Sequence, residues 1–166
     1  MSILGINTTD DYWTIQANTI TGSKFTCPAT GTLTDIYINI NGVGDTYNYR
    51  LGVYEDDSGN PAGKLLDAGA VTITGAGWYY IDGLSLSITN ETVYWLVALG
   101  EGAANTRALN NQGASSTVEN AQAYGALPST FTLDSPTYRT WKWEMYGNIT
   151  VGGAAPSNVV YMIFES

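Results

Sequence analysis

The sequence predicts an all-β fold, an antiparallel β-sandwich built as a single domain over residues 1–166. Three observations carry the prediction. Short segments alternate apolar and polar residues and are rich in Tyr, Trp, Thr, Val and Ile, which suit a half-buried pleated surface. Turn residues separate these segments about every 8–12 residues, the spacing of sandwiches and barrels. No segment shows the periodicity of a helix of ordinary length. The pattern describes a closed sandwich, and a chain of 166 residues can bury roughly 70% of its unfolded surface without a disulfide or metal.

The elements follow in order. An opening segment leads to Tyr12-Trp13-Thr14-Ile15, and Ser23 to Cys27 is a short strand. Thr32 to Ile40 alternates cleanly: Ile36, Ile38 and Ile40 face one way, Tyr37 and Asn39 the other. Asn41 to Asp45 is a turn. From Tyr47 to Glu55, Tyr49, Leu51 and Val53 share one face, opposite Asn48, Arg50 and Tyr54. Asp56 to Gly63 is dense in turn formers and reads as a loop. Lys64 to Ile73 is extended with an irregular middle at Asp67-Ala68-Gly69, and Trp78 to Ile81 starts after a glycine turn. Thr92 to Leu99 is apolar on both sides, the mark of a central strand that buries Trp95. Ser115 to Tyr124 reads as extended. Gly125 to Thr137, with two prolines, reads as a long loop of the kind that often carries function. Arg139 to Val151 is a strand with Trp141, Trp143 and Met145 on one face, and Val159 to Phe164 closes the chain.

Composition narrows the chemistry. The chain has 15 acidic and 6 basic residues, a net charge of −9, and no histidine. Phosphate binding needs a basic patch, so nucleic acid is not an expected partner. Without histidine, Ser-His triads and a Cys-His nucleophile are excluded, and zinc loses its commonest nitrogen ligand. Cys27 stands alone and reads as a buried thiol. No pair of acids is marked as a general acid and base. No run approaches the ~20 apolar residues of a membrane helix, so no membrane partner is expected. Met1 to Gly5 does not read as a signal peptide. A soluble chain is expected, either made in the cytosol or cut from a larger secreted parent. The acceptor-type triplets at Asn7, Asn90 and Asn148 are matches that a Thr- and Asn-rich chain produces by chance.

Two groups of residues remain as binding candidates. Glu55, Asp56, Asp57 and Asn60 could supply oxygen ligands to calcium. They lack the spacing of an EF-hand, and a simple polar turn is the competing reading. No other cofactor is expected. The second group is aromatic. Twelve Tyr and five Trp accompany only three Phe, a mix suited to surfaces that are half apolar and half wet. Trp78, Tyr124, Tyr138, Trp141 and Trp143 are the candidate ligand contacts. The periodicity also allows Trp141 and Trp143 to be core, whereas Tyr124 and Tyr138 flank the long loop.

Several phrases resemble a loose family of jelly-roll-like β-sandwich domains. Ser23 to Ile36 (SKFTCPATGTLTDI) is similar to its opening F-T-x-P-x-x-G-T-x-T-x-I pattern. Arg50 to Leu66 (RLGVYEDDSGNPAGKLL) is similar to its R-x-x-I-Y-x-D-x-x-G-x-P-G-x-L-L pattern. Gly77-Trp78, Thr92 to Leu96, Asn120 to Tyr124 and the closing strand continue the likeness over most of the chain. Cys27 and the Trp-rich strand at Trp141 and Trp143 depart from it. The resemblance implies a non-catalytic surface module of the kind found in extracellular bacterial and archaeal proteins and in bacteriophage structural proteins, and it supplies no ligand residues.

Two functions are therefore expected in order. The first is a virion structural or adhesion protein, such as a phage head-decoration or tail-fibre component. It would sit on a virion surface, with protein partners that include copies of itself in a homo-oligomer. The second is a glycan-binding module of an extracellular carbohydrate-active protein. An enzyme is the weakest reading.

Overall fold

A computed structural model describes residues 2–8, 11–113 and 115–152. Within them the chain forms fifteen strands and no helix. The first eight are β1 (Ser2–Gly5), β2 (Asp11–Ile15), β3 (Thr19–Thr26), β4 (Gly31–Leu33), β5 (Ile36–Val43), β6 (Tyr47–Asp57), β7 (Asn60–Ile73) and β8 (Gly77–Ile81). The remainder are β9 (Leu86–Ile88), β10 (Val93–Gly100), β11 (Ala104–Leu109), β12 (Thr117–Ala121), β13 (Thr137–Arg139), β14 (Lys142–Trp143) and β15 (Met145–Thr150). The strand expected at Val159 to Phe164 lies outside the described residues.

The strands form two antiparallel sheets. One runs β14-β11-β5-β15-β4-β9, with β1 on β15, β2 on β11 and β8 on β5. The other runs β13-β12-β3-β10-β6-β7. Among the described residues both sheets keep free edges, so they do not form the closed arrangement expected from the sequence. Side chains from the two sheets share one apolar cluster: Leu33, Ile36, Ile38, Ile40 and Met145 from the first, Leu51, Val53, Leu96 and Ala98 from the second. The alternation in β5 and β6 falls as their sequences dictate, isoleucines inward in β5 and Tyr37 and Asn39 outward.

β10 lies between β3 and β6 and is buried on both faces. Its second face belongs to a separate cluster of Ile20, Tyr54, Trp95, Val97, Leu99 and Val118. That face would be open to water without a cover. The cover is the segment from 122 to 136, which lays Leu127 and Phe131 into the cluster, with Tyr124 and Leu133 packed beside them. Gly52, which has no side chain, leaves the room that the Leu127 methyl fills. Backbone bonds from Lys64 N to Ser129 O (2.8 Å) and from Phe131 N to Ala62 O (2.8 Å) fasten the segment to β7. The stretch that reads in sequence as a long loop forms no strand between β12 and β13, and it also packs as a third layer.

Three local readings are corrected by the structure. The loop expected at Asp56 to Gly63 is a tight hairpin in which Asp57 pairs with Asn60. Ser58 and Gly59 have φ of 54° and 88°, as a type I′ turn requires at both central positions. The strand expected at Thr32 to Ile40 is interrupted, giving β4 and β5. The strand expected at Arg139 to Val151 is three pieces: β13 belongs to the second sheet, β14 and β15 to the first. The crossing is pinned by buried polar groups, because its backbone and indole donors leave water there. Trp143 N donates to Ser23 Oγ (2.9 Å), Trp143 Nε1 to Thr21 Oγ1 (2.6 Å), and Thr117 Oγ1 to Trp141 O (2.6 Å).

Candidate functional site

The outer face of the first sheet carries a ladder of aromatic rings. In the pleat, residues directly opposite on neighbouring strands place side chains on one face within contact range. Tyr37 of β5 stands opposite Tyr80 of β8 and opposite Tyr146 of β15. Its ring stacks on both, with centroids 5.0 Å from Tyr80 and 4.6 Å from Tyr146. Trp78, two residues from Tyr80 and so on the same face, meets Tyr146 edge-on at 5.2 Å and Tyr37 edge-on at 6.4 Å. Trp78 is 40% exposed and Tyr80 52%. The alternation that puts Ile36, Ile38, Tyr79 and Ile81 against the core leaves these four rings outside.

Polar groups frame the ladder. Asn39, opposite Trp78, donates through Nδ2 to Glu144 Oε2 (2.9 Å). Asp35 accepts from Asn148 N (2.7 Å) and Asn148 Nδ2 (2.9 Å). Burial, and then the negative charge of Asp35, pushes the Tyr37 phenol up from its ordinary pKa. Burial followed by Asp35 and Glu144 does the same for Tyr146. Both hydroxyls stay protonated at neutral pH, able to donate and accept. The arrangement offers flat π-faces beside fixed amides, carboxylates and phenols.

The five aromatic residues singled out from the sequence do not converge. Trp78 stands in the ladder. Tyr124 is half-buried against the second cluster, and its backbone N donates to Asn18 Oδ1 (2.9 Å). Tyr138 is 41% exposed and donates its hydroxyl to Asn60 Oδ1 (2.8 Å). Trp141 stacks on Trp13 at 4.5 Å, with the Arg139 guanidinium 5.0 Å from its ring. Trp143 is 0% exposed and cannot touch a ligand; its indole is core, with its one donor spent on Thr21. Sequence reasoning did not single out Tyr37, Tyr80 and Tyr146, the three stacked rings of the ladder. The outward register of Tyr37 was readable, but the pairing that stacks it on two rings from distant segments was not.

The acidic candidates are each engaged separately. Glu55 Oε1 accepts from Gly63 N (3.2 Å), Asp56 Oδ1 from Trp95 Nε1 (2.7 Å), Asp56 Oδ2 from Gly59 N (3.0 Å) and Asp57 Oδ1 from Ser58 Oγ (3.0 Å). Among the described residues no cluster of three or more His, Cys, Asp or Glu is placed to hold a metal. Cys27 is buried, and its thiol donates to Ala29 O (3.1 Å). Among the described residues no helix is long and apolar enough to cross a membrane.

Comparison with family models gives no match, and none is found among curated proteins.

Proposed function

We propose that this chain is a non-catalytic, jelly-roll-like surface-display domain, a virion structural or adhesion protein that makes contact through its aromatic ladder. One observation carries the reading: four rings in mutual contact, three of them stacked, stand on the outside of a sheet whose inner face already supplies a core. Stability alone does not require Trp78 and Tyr80 to stand half in water, whereas a contact surface does. The second sheet makes the contrast, since its outer face is covered by the chain itself.

A second reading, a carbohydrate-binding module of an extracellular carbohydrate-active protein, is favoured by the chemistry beside the rings. Sugars stack their C–H faces on indole and phenol rings, and their hydroxyls would meet Asn39 and the two raised-pKa phenols. A glycan array read with the parent chain and with Trp78→Ala and Tyr80→Ala variants separates the two. Glycan binding lost in both variants supports the module. A trimer or larger species by light scattering, dissociated by the same substitutions and without glycan binding, supports the assembly reading. A monomer that binds no glycan removes both.

A further inference from the structure

We propose that Glu119 and Arg139 form a docking point for a neutral sugar unit, held by two adjacent hydroxyls, in a polar cleft separate from the aromatic ladder. The pairing of β3, β12 and β13 sets Glu119 opposite Thr21 on one side and Thr137 on the other, and Arg139 opposite Thr117. Side chains directly opposite, and those two residues apart on one strand, share a face. Thr19, Glu119, Thr137 and Arg139 therefore stand on the face that carries Thr21 and Thr117. That face looks toward the first sheet, because Thr21 and Thr117 bond to Trp143 and Trp141. Beside those bonds it opens into a cavity of about 240 Å³, to which Gln16 and Ser135 also contribute. All of these side chains are polar, so the cavity is no gap in apolar packing.

The ion pair in the cleft is half spent. Arg139 Nε (3.1 Å) and Nη2 (3.0 Å) both donate to Glu119 Oε2. Glu119 Oε1 and Arg139 Nη1 have no hydrogen-bond partner among the described residues. The Glu119 side chain is only 15% exposed. Burial, the larger influence, raises its pKa against the pull of Arg139, so the carboxylate is short of donors. The donor that Oε1 lacks must enter from the cavity. Arg139 also packs against the Trp141 ring, 5.0 Å from its centre, and Trp141 is stacked on Trp13 at 4.5 Å. A guanidinium already ordered by its neighbours loses little freedom on binding. The charges cancel within the pair, so neither a cation nor an anion is favoured over a neutral ligand. What the pair offers is one acceptor beside one donor, and a hydroxyl group both donates and accepts. Two hydroxyls on neighbouring ring carbons match it, one donating to Glu119 Oε1 and the other accepting from Arg139 Nη1. A cavity of this size, below the ~300 Å³ at which drug-sized sites begin, takes a single ring rather than a chain.

The test is NMR titration of the protein with methyl glucoside, methyl galactoside and methyl mannoside, with cyclohexanol as a ring that carries one hydroxyl. Saturable amide shifts at Thr19, Glu119, Thr137 and Arg139 are expected with at least one glycoside, at roughly millimolar concentration, and not with cyclohexanol. Replacing one partner leaves the other charge unpaired, so the main variant replaces both, Glu119→Met with Arg139→Met, an exchange that folded chains often tolerate. It should weaken binding about tenfold or more. Thr137→Val, at an exposed position, keeps the ion pair and should weaken binding about twofold or more. Trp78→Ala should leave it unchanged. Linear shifts with every glycoside overturn the proposal, as does saturation by cyclohexanol or full affinity in the folded double variant. Loss of binding in Trp78→Ala also overturns it, because the sugar would then sit on the ladder.

Discussion

Replacing Phe131 by alanine tests whether the segment from 122 to 136 is a structural layer. Phe131 is 3% exposed in the second cluster, with its ring edge-on to Tyr54 at 5.6 Å. Truncating a buried phenylalanine removes its transfer free energy and leaves a cavity, which together cost about 3–5 kcal/mol. For a chain of this length each kcal/mol lowers Tm by about 2–4 °C, so a fall of about 6–20 °C is expected. The backbone bond from Phe131 N to Ala62 O survives the substitution, so the loss isolates the side chain. Urea unfolding followed by tryptophan fluorescence and far-UV circular dichroism measures it. The aromatic ladder lies on the other sheet, so ligand binding by the folded variant should be unchanged. A loss below about 1 kcal/mol, the size of an ordinary surface substitution, would mean that the segment does not bury a core and is free to act as a binding loop.

Thr21→Val keeps the shape of a buried side chain but removes the acceptor for Trp143 Nε1; a loss of about 1–3 kcal/mol is expected by urea unfolding, the cost of an orphaned buried donor. Glu144 is buried and its pKa is raised, chiefly by that burial. The folded state therefore holds this proton more tightly than the unfolded chain, and stability falls as pH rises from the ordinary glutamate range through the raised value. Glu144→Gln should remove that slope, gaining on the parent in urea midpoint as pH rises above the ordinary glutamate range; a constant difference would refute the assignment. Calcium at millimolar concentration should leave Tm unchanged, because Glu55, Asp56 and Asp57 are committed to separate hydrogen bonds; a rise in Tm that Asp57→Asn abolishes would restore the metal site.

Much of the strand pattern was legible because it is local. The isoleucines of β5 and the double-sided apolar run of β10 state their own faces, so the burial of Ile38 and Trp95 needed no knowledge of their neighbours. The Asp56 to Gly63 stretch was misread for a local reason too. Its turn formers fit an open loop as well as a hairpin, and only the positive φ of both Ser58 and Gly59 selects the tight turn. The crossing at Trp141 was not legible. Periodicity gives the side on which Trp143 and Met145 face but not which sheet receives them, and that choice is made by hydroxyls of Thr21 and Ser23 more than a hundred residues away.

The same distinction explains why the candidate site was only partly foreseen. An outward-facing tyrosine is unremarkable in a strand. Tyr37 becomes part of a surface because β8 and β15 flank β5 in a register that sets Tyr80 and Tyr146 beside it. A slip of one residue in either pairing would turn those rings into the core. The inward partners Ile38, Tyr79 and Met145 hold that register by burial, so core packing on one face fixes the stack on the other. Substitutions that loosen the inner face should therefore disorder the ladder before they unfold the chain, whereas substitutions at Trp78 should change contact and leave the register in place.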